Sequence, residues 1–484
     1  MTLIIAGDRS GTGKTTVTLA LLAFLKQKSA QVQSFKVGPD YIDPMFHSYI
    51  TGRPCRNLDP ILTSIGYVKS CFAQHCQGVD YALIEGVMGL FDGVPFQKAG
   101  ESKQETVGEI INPNLPGGEE ETQYQNYGST AHIAKILKIP VVLVIDCSRL
   151  SGSVAAIAYG YGFLDADINL VGVILNRVGS DRHLALLKTA LEPLNIAVLG
   201  VIYRQESLTI PDRHLGLVPT QELPEIDCFL DRLAYLAENC FNWEQLLPYL
   251  TTSSPNYPIS QSPYCPVTPL VKIAIAQDKA FNFYYSDNLD ILEQWGAKLC
   301  YWSPMNDESL PEGVAGLYFG GGFPEMFASA LSSNKKALKM VKEAIERGMP
   351  TYAECGGLMY LCEKIVNFEG NVWPMVGILG TTAKMGKKLT LGYKQGTALR
   401  SSLLLNLGEV LWGHEFHRSE LTIPPSQPLF HLSSWHTNSP SHAEGWYHRN
   451  LHSSYLHLHF GGCPQIAARF FRHTLDFSKY LTLD

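Results

Sequence analysis

A short apolar strand that opens into a glycine-rich loop and then a helix constrains this chain most. Leu3-Ile4-Ile5-Ala6 supplies the strand, Gly7-Asp8-Arg9-Ser10-Gly11-Thr12-Gly13-Lys14-Thr15-Thr16 the loop, and Val17 to Leu25 the apolar helical run. That context makes a phosphate-binding loop: backbone N–H groups and the helix N-terminus cradle phosphate oxygens. Gly11, Gly13, Lys14, Thr15 and Thr16 are the candidate nucleotide-binding residues. Lys14 would neutralise the β- and γ-phosphates, and the Thr15 hydroxyl would hold Mg²⁺. The spacing is unusual. Gly-x4-Gly-Lys calls for glycine at position 8, which is Asp8; the glycine, Gly7, comes one residue early.

Strand-like and helix-like stretches keep alternating, which predicts α/β layers built on parallel sheets. Strands are expected at 31–37, 81–84, 140–146 and 170–175. Polar clusters follow them: Asp40 and Asp43 after the first, Glu85 and Asp92 after the second, Asn176 after the last. Ligands bind at the C-terminal ends of strands in such sheets. Each acid alone reads as a cap or a solvated turn residue. Together, Asp40, Asp43 and Glu85 read as one metal or substrate site beside the loop, since Mg²⁺ on ATP takes oxygen ligands.

The second half carries another chemistry. Cys355 stands in Tyr352-Ala353-Glu354-Cys355-Gly356-Gly357-Leu358-Met359-Tyr360, between a strand-like and a helix-like stretch. A thiol at such an elbow is a candidate nucleophile, with the following N–H groups and helix N-terminus expected to favour thiolate and to receive an oxyanion. Gly320-Gly321-Gly322 ends another strand and can add backbone N–H groups to that hole. Ser454 to Phe460 reads as a strand with His457 and His459 on one face. Either could be the base for Cys355. Gly413-His414-Glu415-Phe416-His417 adds histidines without completing a zinc ligand set.

Composition sets limits on partners. The chain has 484 residues, enough for two or three domains, with 17% charged residues and a net charge of −7. Nothing in that balance attracts nucleic acid. No apolar run reaches the roughly 18 residues of a membrane span, and no signal peptide is visible. Eleven cysteines without paired metal spacing predict free thiols in a reducing, cytoplasmic setting. Residues 98–128 are polar and aperiodic and read as a mobile surface insertion. Residues 249–270, with five prolines, read as an extended linker. The expected domains are therefore 1–248 and 271–484.

With these motifs assembled, the chain resembles the cobyrinic acid a,c-diamide synthase family almost from end to end. The resemblance rests on Gly7–Thr16, on Phe35-Lys36-Val37-Gly38-Pro39-Asp40-Tyr41-Ile42-Asp43-Pro44, on Asn57-Leu58-Asp59-Pro60 and on Glu85–Gly93. It continues through Arg213–Leu217, Asp278–Phe281, Gly321–Glu325, Glu354–Leu361, Gly413–His417 and Tyr455–Phe460. The early glycine of the loop is similar to the dethiobiotin synthetase type. The resemblance implies an N-terminal P-loop, dethiobiotin-synthetase-like parallel-sheet domain and a C-terminal class I glutamine amidotransferase domain of flavodoxin-like fold. It implies a carbon–nitrogen ligase of cobalamin biosynthesis, with ATP, glutamine and cobyrinic acid as substrates and Mg²⁺ as cofactor. A homodimer is left open. Cys355 would be the nucleophile and His457 its partner, Asn176 would contact adenine, and Thr15, Asp40, Asp43 and Glu85 would be metal-site residues. Two positions depart from the amidotransferase pattern: Ala353 replaces a glycine, and His459 stands where an acid usually orients the histidine. A ligase for another tetrapyrrole carboxylate, such as nickel-sirohydrochlorin, and a non-enzymatic P-loop regulator are the rival readings.

Overall fold

The computed structural model describes residues 2–94, 126–204, 212–213, 216–223, 225–252, 257, 271–434 and 441–481. It divides into two compact units, Met1–Ser260 and Gln261–Asp484.

The first unit is built on seven strands: β1 (Leu3–Gly7), β2 (Val32–Val37), β3 (Arg56–Leu58), β4 (Tyr81–Glu85), β5 (Val141–Asp146), β6 (Leu170–Val178) and β7 (Val198–Tyr203). All pairs are parallel, in the order β3-β2-β4-β1-β5-β6-β7. Every residue of β1, β2 and β5 is buried. Helices cover both faces of such a sheet, so its strands read as apolar runs rather than alternations. The edge strands β3 and β7 were not expected. The first is three residues long and lies among prolines, and the second alternates buried and half-buried positions. Two further strands, β8 (Asp212–Arg213) and β9 (Gly216–Leu217), form a small antiparallel ribbon.

Two expected boundaries move. Helix Trp243–Leu250 carries the first unit past residue 248. Thr251 then bridges to Tyr81, the Thr252 hydroxyl donates to the Val79 carbonyl at 2.5 Å, and the Tyr257 hydroxyl donates to the Leu137 carbonyl at 3.0 Å. The start of the expected linker is thus tied down by satisfying backbone carbonyls of the first unit. The rest of it lies outside the described residues. So does the expected insertion up to residue 125. Its last residues, however, are ordered: Tyr127 is buried and bridges Val94 through two 2.9 Å hydrogen bonds.

The second unit holds β10 (Val271–Ala276), β11 (Ala297–Trp302), β12 (Val314–Phe319), β13 (Thr351–Glu354), β14 (Cys362–Val366), β15 (Val372–Pro374), β16 (Leu379–Ala398), β17 (Val410–Leu421), β18 (Pro428–Ser434), β19 (His442–His448) and β20 (Leu451–Ser454). Five of them form a parallel sheet in the order β11-β10-β12-β13-β20. Renumbered within that set, this is the 2-1-3-4-5 order of flavodoxin-like folds. Beyond β20 the sheet continues through β19, β18, β16, β14 and β15, and β17 pairs with β16. Tyr318 and Tyr352 stack at 4.9 Å beneath the strand ends and pack with Phe460.

The expected strand at 454–460 does not form a continuous ladder. Regular pairing stops at Ser454, and His457 makes only an isolated bridge with His414. His457 and His459 consequently meet different neighbours, not one shared face. Among the described residues, no helix is long and apolar enough to cross a membrane.

Candidate functional site

The phosphate loop leaves β1 and enters helix Lys14–Gln27 at Gly13, which has φ 97°. A Cβ at Gly13 would lie 2.3 Å from Asn176 Nδ2, so only glycine fits there. Asn176 donates that nitrogen to the Thr12 carbonyl at 2.7 Å and accepts from Arg177 N–H at 2.9 Å. It thus supports the loop from the end of β6. Gly11 is also left-handed, at φ 76°. Lys14 lies largely buried under the loop, with Nζ 3.3 Å from the Arg9 carbonyl. Burial, then the Lys36 charge, pulls its pKa down.

The acids meet around a residue to which the sequence reading gave no role. Lys36, buried in β2, places Nζ 2.6 Å from Asp43 Oδ2, 2.9 Å from Glu85 Oε1 and 3.8 Å from Asp40 Oδ2. Thr15 Oγ1 donates to Glu85 Oε1 at 2.6 Å and lies 3.4 Å from Asp43. His47, one turn after Asp43, sets Nε2 2.7 Å from Glu85 Oε2. Burial works against the Lys36 ammonium, but the Asp43, Glu85 and Asp40 carboxylates outweigh it and hold its pKa above the lysine range. Burial likewise opposes the Glu85 charge, and Lys36 and His47 outweigh it, holding that acid well below the usual range. Asp43 is pushed up to about 8, first by burial and next by Asp40. Thr15, Asp43, Glu85 and Asp40 offer oxygen donors of the kind Mg²⁺ takes, and are the residues that could hold it. Asp92 stands apart from this cluster and accepts from Gly89 N–H at 2.8 Å. A lysine inside an apolar strand, four residues before Asp40, was the available signal for Lys36.

In the second unit, Cys355 joins β13 to helix Gly356–Leu361 with φ 46° and ψ −99°. A non-glycine residue there stores on the order of 1–3 kcal/mol of strain. The elbow is fixed on both sides: Cys355 N–H donates to the Ser454 carbonyl at 2.8 Å and Gly357 N–H to the Gly320 carbonyl at 3.1 Å. A Cβ on Gly356 would meet Gly322 N at 3.0 Å, so the two glycine turns lie against each other. Their N–H groups form the candidate oxyanion hole. The thiol does not gain the expected acidity. Burial first, then Glu325, Glu354 and Glu415, raise its pKa far above the usual range, and Gly356 N–H only partly offsets them. A helix of six residues has too short a dipole to reverse that. The resting group is a thiol that requires a base.

His457 lies against the same loop: a Cβ on Gly321 would come within 2.6 Å of its Cε1. Its backbone is held by hydrogen bonds of 2.9 and 3.0 Å with His414, and its Nδ1 lies 3.7 Å from Glu354 Oε2. His459 instead stacks on Tyr285, places Nε2 3.4 Å from Asp287 and accepts from Gly461 N–H at 3.1 Å.

A cleft of about 870 Å³ is lined in part by Glu415 and His417, the chain neighbours of Phe416, whose carbonyl lies 3.9 Å from the Cys355 sulfur. Lys387, Lys394, Glu415, His417, Arg418 and Trp446 are among its lining residues. Glu415 is 2% exposed, and its Oε2 has no hydrogen bond among the described residues, with Lys394 Nζ 3.8 Å away. Burial opposes its charge, but His417 and Lys394 keep its pKa low.

Comparison with known proteins matches this division. Residues 3–218 match the CobQ/CobB/MinD/ParA nucleotide binding domain, and residues 272–464 match the CobB/CobQ-like glutamine amidotransferase domain. The chain is 54% identical to a cobyrinate a,c-diamide synthase of Synechococcus sp., over 97% of each chain. It is 51% identical to one of Synechocystis sp., over 100% of this chain and 95% of the other. A hydrogenobyrinate a,c-diamide synthase of Streptomyces coelicolor is 38% identical over 97% of this chain and 96% of the other. A nucleotide-binding unit and a glutamine amidotransferase unit in one chain, at this identity over its full length, place the protein in the cobyrinate a,c-diamide synthase family.

Proposed function

We propose that the chain uses ATP and glutamine to convert the a and c side-chain carboxylates of cobyrinic acid to amides. One observation carries the reading. A single chain holds both a phosphate loop facing a cluster of acids and a strained cysteine beside a glycine turn and a histidine.

In the first unit, Gly11, Gly13, Lys14 and Thr16 bind the phosphates and Asn176 meets adenine. Thr15, Asp40, Asp43 and Glu85 would hold Mg²⁺, which would offset phosphate charge when bound. A carboxylate is a poor electrophile. Its oxygen attacks the γ-phosphorus, ADP leaves, and the resulting acyl phosphate has a leaving group. Lys36 and Lys14 offset the charge of that transfer. Ammonia then attacks the acyl carbon and phosphate departs.

In the second unit, His457 takes the Cys355 proton, and the sulfur attacks the glutamine side-chain amide. The proton passes to the leaving nitrogen, which departs as ammonia. Water hydrolyses the thioester to glutamate and restores the thiol. The Gly322 and Gly356 N–H groups receive the oxyanion. The mixed lining of the adjoining cleft suits a zwitterion, with the glutamine carboxylate on Lys394 and its ammonium on Glu415.

The test is to incubate the protein with ATP, Mg²⁺, glutamine and cobyrinic acid and to follow products by mass spectrometry. A monoamide should appear first and a diamide at completion. Amidation of nickel-sirohydrochlorin instead, or of neither, would reject the reading.

A further inference from the structure

Glu354 ends β13 and immediately precedes the nucleophile, yet its side chain turns away from solvent and is 1% exposed. A buried carboxylate is costly unless donors surround it. Here three converge. Oε1 accepts from the Tyr352 hydroxyl and, at 2.9 Å, from Leu458 N–H. Oε2 lies 3.4 Å from the Tyr318 hydroxyl and 3.7 Å from His457 Nδ1. Burial and then Glu354 itself hold both tyrosines well above their usual pKa, so they stay donors.

The histidine is equally fixed. Its ring is 1% exposed, its backbone is paired on both sides with His414, and its Cε1 edge rests on Gly321. With Nδ1 on the Glu354 side, Nε2 remains for the glycine turn that borders the thiol. The position two residues on, where an acid would ordinarily orient the base, is His459, and its ring is engaged with Asp287, Tyr285 and Gly461.

We propose that Glu354 is the positioning residue of the thiol centre: it accepts the Nδ1 proton of His457, fixes the tautomer whose Nε2 takes the Cys355 proton, and stabilises the imidazolium that forms. The proposal rests on the reading of Cys355 and His457 as the glutamine-cleaving pair. The orienting acid comes from the nucleophile's strand and not from the segment that carries the histidine. The two tyrosines and Leu458 N–H hold that acid in place from β12, β13 and the segment after β20.

The test uses the full-length protein. Glu354→Gln should lower kcat for glutamine hydrolysis at least 100-fold, leave KM for glutamine within about threefold, and leave ammonia-driven amidation intact. Tyr318→Phe, which removes one tether and keeps the carboxylate, should lower the same kcat by about tenfold or less. Imidazole ¹⁵N resonances of the unmodified protein, assigned by the loss seen in His457→Gln, should show His457 protonated at Nδ1. Glu354→Gln should mix the tautomers. A His457 protonated at Nε2 in the unmodified protein, or an unchanged kcat in Glu354→Gln, overturns the proposal, and the first of these does not depend on Glu354→Gln folding. If His457→Gln itself keeps full glutamine hydrolysis, the underlying assignment of the base fails instead.

Discussion

Lys36 Nζ lies 2.6 Å from Asp43 Oδ2, so the ammonium of one buried strand donates to the acid in the first turn of the following helix. Removing one partner from a buried charge cluster leaves the others uncompensated, at about 3–5 kcal/mol. Lys36→Met should therefore lower the melting temperature and abolish amidation with glutamine and with ammonium salt alike, while glutamine hydrolysis continues. Mg²⁺ should raise the melting temperature of the variant more than that of the unmodified protein. An unchanged melting temperature in calorimetry would show that the ammonium is not needed among these acids.

The left-handed backbone of Cys355 separates chemistry from strain. Cys355→Ala and Cys355→Gly should both lose glutamine-dependent amidation and keep the ammonia-dependent reaction. They should differ in stability. Glycine relieves strain of about 1–3 kcal/mol and returns about 0.4–1 kcal/mol as unfolded-chain entropy. The glycine variant should melt higher than the alanine variant. Equal melting, or a lower value for glycine, would mean that φ 46° stores nothing.

Lys394 and Glu415 should govern affinity rather than turnover. Glu415→Gln and Lys394→Met are each expected to raise KM for glutamine by about tenfold or more, as a lost charged hydrogen bond would. Neither should change ammonia-driven amidation. A loss confined to kcat, with KM constant, would remove the pair from the glutamine cleft.

Glu444, which lines that cleft, gives a pH signature. Burial, with Glu415 adding to it, pushes its pKa from 4.5 up to about 7, although Ser454 and Tyr455 donate to it. An acid whose folded pKa is raised favours folding while protonated. That advantage is complete below its unfolded value and is lost as pH climbs through the folded one. The loss amounts to about 3 kcal/mol between pH 4.5 and pH 7. Glu444→Gln cannot ionise, so its stability relative to the unmodified protein should rise between pH 5 and pH 8. A difference independent of pH, measured by denaturant titration, would show that the carboxyl is not perturbed.

Replacing 98–125 with a short Gly/Ser linker should leave melting and turnover nearly unchanged, because that polar segment has no periodic apolar face to bury. The cut must stop before Tyr127, which is buried against Val94. A large fall in activity at saturating ATP would show that the segment serves the active site.

The sequence made the loops at strand ends legible, because glycine and acid clusters there are local signals. Asp40, Asp43 and Glu85 follow parallel neighbours in the sheet; the structure brings Asp43 and Glu85 to Thr15 and sets Asp40 at 3.8 Å from the Lys36 ammonium. What joins them was not legible. Lys36 looks like one polar residue in a strand until three carboxylates from different loops surround it. Glu354 is harder still, since its role depends on tyrosines from β12 and β13 and on the backbone of Leu458. The two histidines were misplaced on one face because alternation assumes an unbroken ladder, and the ladder ends at Ser454.

Cys355 and His457 follow β13 and β20, two strands that are neighbours in space but have six other strands between them in sequence. Their separation is thus inherited from a parallel ladder and from the 2.8 Å bond of Cys355 N–H to Ser454. The loops of the long excursion from β14 to β19 can change length or surface without altering that distance, as long as β17 keeps His414 paired with His457. The amide of Cys355 should accordingly exchange with solvent only when that seam opens, which ties the durability of the reactive pair to the rarest motion of its sheet.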